Sequence, residues 1–174
     1  MMELGLTWPL QRLLKLSVPY GMETERGFCW DAHCIMLRGE SALLLVHCAS
    51  RFTLVRFAMT PFDWQNLDGI AREEIALGLA EAGIGRSERE AYLQKLGMPL
   101  FTRTHGRREV AFLNRAWEDA LVSDLLVDTE NCRQPLLNAE VNTKLCRCAG
   151  EDMLCSAQEH LEHWFACKKG EGVF

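Results

Sequence analysis

The sequence predicts an α+β fold, an antiparallel sheet of about four strands packed against several helices. Three observations carry this. First, three apolar runs between Cys34 and Phe57 are separated only by the polar breaks Arg38 to Ser41 and Ala49 to Arg51. Breaks that short permit only antiparallel neighbours, because a parallel crossover takes about a dozen residues or more. Second, residues 67–82 and 110–125 repeat apolar side chains at three- and four-residue steps, the helical period. Third, 174 residues of which 48% are hydrophobic make one domain with a sizeable core.

Residues 9–16 read as a short helix. Pro9 stands early, where its missing N–H costs nothing. Leu10, Leu13 and Leu14 share a face, while Arg12 and Lys15 face out. Residues 19–29 read as a loop. The strands 34–37, 42–48 and 52–57 follow as a meander. The middle run is apolar almost throughout, so both of its faces should be covered. The third alternates, with Phe52 and Leu54 on one face and Thr53, Val55 and Phe57 on the other. Residues 61–68 turn into the longest helix, whose stripe is Leu67, Ile70, Ala71, Ile75, Gly78, Leu79 and Ala82, ended by Gly83 and Gly85. Ser87 and Glu90 have capping-box spacing and open a short helix. Residues 99–104 read as a fourth strand. The second long helix carries Val110, Leu113, Trp117, Ala120, Leu121 and Leu125 on its stripe. A linker over 128–135 leads to a short helix over 136–145 and a stretch over 146–154 that is irregular or a short strand. Ser156 and Glu159 form a second capping box, opening a helix whose stripe includes Ala157, Leu161, Trp164 and Phe165. The expected organisation is a single domain, 1–174, with 146–174 as a C-terminal helical appendage.

The net charge of −5 argues against a nucleic-acid binder that works through a broad basic surface. Residues 61–130 carry 8 Lys and Arg against 13 Asp and Glu, a local −5, and the flanking segments are close to neutral. The middle of the chain should therefore present an acidic helical surface. Glu3, Pro9, Arg12 and Lys15 interrupt any apolar stretch of signal-peptide length. No run approaches the roughly eighteen apolar residues of a membrane span. The expected location is cytoplasmic, and the eight cysteines are thiols or metal ligands before they are disulfides.

Four groups of residues are candidates for chemistry or binding. Cys146, Cys148, Cys155, His160, His163 and Cys167 offer thiolate and imidazole donors for zinc, which takes four in a tetrahedron. Steps of three and four put His160, His163 and Cys167 on one helix face, and the preceding loop can bring the other cysteines to its end. Cys-x-Cys is not a standard zinc-knuckle spacing, and these cysteines equally suit a core as small buried residues. Cys29, Cys34 and Cys48 can meet His33, His47 or His105 across the sheet, the makings of a nucleophile and its base. Buried, inert thiols are the alternative. Arg103, Arg107 and Arg108, with His105, form a basic turn before a helix N-terminus, suited to an anion or to pairing with nearby acids. Trp64 and Phe62, beside Glu73, Glu74 and Glu81, form the candidate partner-binding patch. The sequence has no phosphate loop, no Gly-x-Ser-x-Gly, no His-Glu-x2-His and no dinucleotide fingerprint.

A leucine-rich helix is followed by Trp30-Asp31-Ala32, a strand pair around Leu43 to Val46, and a helix ending Ala82-Gly83-Ile84. Thr102-Arg103-Thr104, Asn114 and finally Asn138-x3-Asn142 come next. This succession resembles an uncharacterised bacterial family known only as a domain of unknown function. Members typically carry Trp-Tyr-Ala-Asn where this chain has Trp30-Asp31-Ala32-His33. They carry a valine–asparagine pair where it has Val46-His47, and a Thr-Asn-Arg-Ser segment near Thr102 to Gly106. The resemblance implies a single α+β domain of bacterial or mobile-element origin and implies no activity.

The function expected on these grounds is a non-enzymatic, intracellular protein-interaction module with an acidic helical face and no cofactor. One version is a phage- or plasmid-encoded inhibitor of a host nucleic-acid-handling defence complex, because an acidic helix can occupy a surface evolved for phosphates. The alternatives are a zinc-stabilised domain and a cysteine-dependent enzyme.

Overall fold

The computed structural model of the chain describes residues 1–148 and 152–174. In chain order, strand β1 (Glu3–Leu6) leads to helix α1 (Trp8–Leu14). Strands β2 (Cys29–Leu37), β3 (Glu40–His47) and β4 (Thr53–Arg56) follow. Helices α2 (Pro61–Gln65), α3 (Leu67–Glu81) and α4 (Arg86–Leu96) come next, then strand β5 (Leu100–Arg103), α5 (Arg107–Val122) and α6 (Pro135–Asn142). A short hairpin, β6 (Leu145–Cys146) and β7 (Cys155–Ser156), runs into α7 (Ala157–Gly170). The stretch 146–154, expected to be irregular or a short strand, is partly this hairpin, and its residues 149–151 lie outside the described residues.

Strands β2, β3 and β4 form the antiparallel meander that the short breaks dictate. Arg38 and Gly39 turn the first break, both at positive φ, as a tight two-residue hairpin requires. The sheet as a whole is mixed. Its order is β4-β3-β2-β1-β5, and β1 runs parallel to both of its neighbours. The expectation of an antiparallel sheet of about four strands is corrected by this insertion. Four residues with a glycine inside show no alternation long enough to mark a strand. Without β1, nothing reveals that β5 joins the sheet in parallel.

Both faces of the sheet are covered. Leu43 and Leu45 of β3 point into one layer with Trp30, Leu54, Ile75, Tyr92 and Leu161. Ala42, Leu44 and Val46 point into the other with Val55, Phe112, Leu113 and Val141. The unbroken apolar run of β3 is thus explained: alternate residues serve two cores. Helix α7 joins the first core through Leu161 and Phe165.

Some helices differ from their expected faces. In α5 the buried stripe is Glu109, Phe112, Leu113, Ala116 and Ala120, and the helix ends at Val122. Leu121 and Leu125, expected inside, are exposed. The two stripes differ by about one residue's rotation, and the polar Glu109 disguised the true one. Helix α4 starts after Gly85 with no side-chain cap, so the Ser87–Glu90 box does not form. The Ser156–Glu159 box does form. A further box joins Thr60 and Asp63 at the start of α2. Among the described residues no helix is long and apolar enough to cross a membrane.

The outer edge of β4 is sealed by side chains. Asn142 Oδ1 accepts from the Thr53 N–H at 2.8 Å, and Asn142 Nδ2 donates to the Thr53 carbonyl at 2.7 Å. Asn138 Oδ1 accepts from the Val55 N–H at 2.9 Å. A sheet edge with unpaired backbone groups is a template for unwanted pairing, and here α6 takes those groups up. Replacing Asn142→Ala leaves a buried N–H and a buried C=O unpaired, each costing about 1–3 kcal/mol. Urea unfolding should show a loss of at least about 2 kcal/mol, and the Thr53 amide should lose its hydrogen-exchange protection.

Candidate functional site

The most concentrated polar chemistry lies inside the sheet, at β1. Glu3 on β1, Asp31 on β2 and His105 just beyond β5 all have buried side chains. His105 Nδ1 lies 2.6 Å from Asp31 Oδ1, and Nε2 lies 3.1 Å from Glu3 Oε2. Glu3 also accepts from the backbone N–H groups of Met22 and Glu23. Burial alone would lower the His105 pKa. The hydrogen bond to Asp31 and the surrounding negative potential outweigh it, and the pKa is raised to about 10. Burial raises the Asp31 carboxyl, and the same hydrogen bond opposes that rise. Burial also pushes Glu3 up, but its backbone and His105 contacts overcome it and the net shift is downward. Gly5 sits against this group: a Cβ there would lie 2.0 Å from Asp31 Oδ1 and 2.9 Å from His105 Nδ1.

Cys29 and Cys48 stand beside the same histidine. Cys48 Sγ is 3.6 Å from His105 Nδ1. This is the meeting of thiol, imidazole and carboxylate that the sequence left open, but its electrostatics oppose general-base chemistry. A doubly bonded imidazolium has no lone pair with which to take a thiol proton. Burial and nearby negative charge raise the Cys48 thiol well above its ordinary value. A nucleophilic thiol needs the reverse.

The C-terminal cysteines form a second cluster. Cys146, Cys148 and His160 are buried, and their donor atoms lie within 4.8 Å of one another. His160 Nε2 also lies 2.9 Å from the Cys146 carbonyl. A hydrogen bond from Cys148 lowers the Cys146 thiol against the opposing effect of burial, and Arg51 and His160 add to the fall, to about 6. Cys155 faces Cys146 across the hairpin. His163 and Cys167 pair with each other at 3.5 Å on the exposed side of α7. They do not join the other donors. The hairpin covers only the start of the helix, and Cys167 lies seven residues, about 10 Å, further along the axis than His160.

The expected partner-binding residues separate. Trp64 is 7% exposed and Glu74 1% exposed, whereas Phe62 is 72% exposed. Glu74 bonds Arg56 at 2.8 Å, Glu73 reaches the same arginine at 3.3 Å, and Glu81 pairs with Arg133 at 2.8 Å. The acidic stripe of α3 is thus largely answered by arginines of the chain itself. Trp64 lines an apolar groove of about 660 Å³ with Leu13, Leu14, Leu16, Pro61 and Phe101.

The basic turn does not converge on one pocket. Arg103 bonds the Tyr20 hydroxyl at 2.9 Å and stacks 4.4 Å from its ring centre. Arg108 bonds the buried Glu109 at 2.6 Å. Arg107 is exposed. Arg108 and Arg26 instead flank a cleft of about 270 Å³ that also touches Cys48, His160 and Trp164. A further cavity, of about 400 Å³, has no signature in the sequence. Thr7, Trp8, His33, Thr104 and Asn114 line it, at the carboxyl ends of β1 and β5, where open parallel sheets commonly take ligands.

Two outcomes follow from the buried charges. A raised histidine pKa stabilises fully below its unfolded value near 6.5, and that stabilisation is lost as pH rises towards about 10. His105→Gln should therefore cost about 3 kcal/mol at pH 7, because two carboxylates remain buried without their cation. The gap from wild type should close between pH 6.5 and 10 in denaturant titrations. On α3, Glu74→Lys should destabilise by about 3–5 kcal/mol, whereas Glu73→Lys should stay within about 1 kcal/mol. Thermal melts of the two variants measure that contrast.

No curated protein matches the chain. Comparison with protein families matches residues 3–159 to a domain of unknown function, DUF6933. The match runs from the first residue of β1 into the first turn of α7 and so takes in the whole sheet, the buried ion network and the sealing asparagines. The chain belongs to the DUF6933 family.

Proposed function

We propose that this chain is a non-enzymatic protein-interaction module whose contact surface is the groove between α1, α2 and β5. The observation that carries it is the groove itself. Its floor is Leu14, Trp64 and Phe101, Leu13 and Leu16 stand partly exposed at its side, and Phe62 is exposed on the adjoining α2. An apolar concavity bordered by exposed apolar side chains is where an amphipathic partner helix would bury its apolar face. The acidic stripe of α3 has a smaller part in this reading than its charge suggests, because Glu74 is inside and Glu81 is paired. Glu73, with a side chain 57% exposed, supplies charge for steering. An inhibitor of a basic, nucleic-acid-handling complex is the special case with a cationic partner, and its capture would weaken as salt rises.

A photo-crosslinking residue placed at Phe62 or Leu13 tests the module in cells of the native host, with Glu118 on α5 as the control position. Positions 62 and 13 should yield the same discrete adduct, Glu118 should not, and Leu16→Asp should abolish it. Absence of an adduct at both groove positions, or equal adducts at the control, overturns the reading.

A further inference from the structure

The hairpin β6–β7 and the start of α7 enclose a cluster separate from both main cores, with Cys146, Cys148 and Ala157 as its buried residues. Among the described residues that is very little apolar surface. A two-stranded hairpin is marginal in water even with longer strands than these, and small side chains return little transfer free energy on burial. Units of this kind are commonly stapled by a metal or a disulfide.

Here the donors for a metal are already assembled. The thiols of Cys146 and Cys148 and a ring nitrogen of His160 lie within 4.8 Å of one another. Ligand atoms around a tetrahedral zinc stand roughly 3.5–3.8 Å apart, so a change of about an ångström closes the set. Cys155 is the register partner of Cys146, and directly opposed residues of an antiparallel pair share a face. Its thiol stands outside the 4.8 Å set and would have to turn towards it to give a fourth donor. The bond from His160 to the Cys146 carbonyl ties the ring to the hairpin, a backbone contact of the kind that orients metal-binding imidazoles.

We infer that Cys146, Cys148 and His160, with Cys155 as fourth ligand, form a structural zinc site that staples the hairpin to α7. Soft thiolate and imidazole donors select zinc over hard cations, and a closed, buried set of four suits a structural site better than a hydrolytic one. Among the described residues the two other donor groups both centre on His105, whose ring nitrogens are each already held by a carboxylate. His163 and Cys167 are exposed, pair with each other and stay outside the site.

The test uses the full chain purified under reducing conditions, with zinc measured by elemental mass spectrometry. The expected content is about one zinc ion per chain, unchanged in His163→Gln and Cys167→Ser. Cys148→Ser should lower it by about tenfold, since one ligand of four is gone, whereas His160→Cys, a ligand-for-ligand exchange, should keep it. Cobalt loaded into the wild-type chain should give thiolate-to-cobalt absorption that Cys148→Ser loses, a signature that loss of folding alone cannot supply. Wild-type protein that is folded and reduced yet takes up neither metal overturns the proposal. So does a Cys148→Ser variant with undiminished zinc, or a metal-free protein holding a Cys146–Cys155 disulfide.

Discussion

Two buried carboxylates sharing one buried imidazolium are what the parallel half of this fold depends on. Glu3, Asp31 and His105 come from β1, β2 and the segment after β5, so their contacts cross-link three strands by charge. Each of the three charges is tolerable inside only because the others are there. The arrangement dictates further details. Position 5 must be glycine, because a side chain would enter the Asp31 carboxylate. The loop after α1 folds back so that the Met22 and Glu23 amides reach Glu3, and a Cβ at Gly21 would lie 2.1 Å from that carboxylate. Burial, with the Asp31 carboxylate beside it, keeps the neighbouring Cys48 a neutral thiol.

What could be read in the sequence depended on whether the cause was local. The meander was legible because short breaks and an apolar β3 run are local facts. The Ser156 cap was legible for the same reason. Strand β1 was not, since its place is set by partners 26 and 97 residues away in register, such as Cys29 and Leu100 for Glu3. His105 looked like one member of a basic turn. Its carboxylate partners stand 74 and 102 residues off in sequence, and no spacing rule spans that distance. Of the candidate metal ligands, Cys146, Cys148 and His160 met as the local pattern allowed, while His163 and Cys167 fell outside because the hairpin ends too soon.

Neighbouring residues of one type meet different fates here. Glu73 and Glu74 are consecutive on α3, yet one faces water and the other is enclosed with Arg56. Cys48 and Cys146 are both buried, yet one thiol is held up by that burial and by nearby negative charge, and the other is drawn down against it by a hydrogen bond from its neighbour. Charge counts and cysteine counts describe the chain, whereas the environment each side chain enters decides its chemistry.

The seal on β4 has a geometric consequence. Four residues of helix advance about 6.0 Å along the axis, and two residues of strand advance about 6.8 Å. Asn138 and Asn142 therefore fall nearly in step with Val55 and Thr53, running in the opposite direction. The two repeats drift apart by about 0.8 Å each time, so a third rung would be off by more than a hydrogen bond tolerates. A helix can imitate a neighbouring strand for about one repeat only. The four-residue length of β4 and the single Asn-x3-Asn pair on α6 are two expressions of that incommensurability.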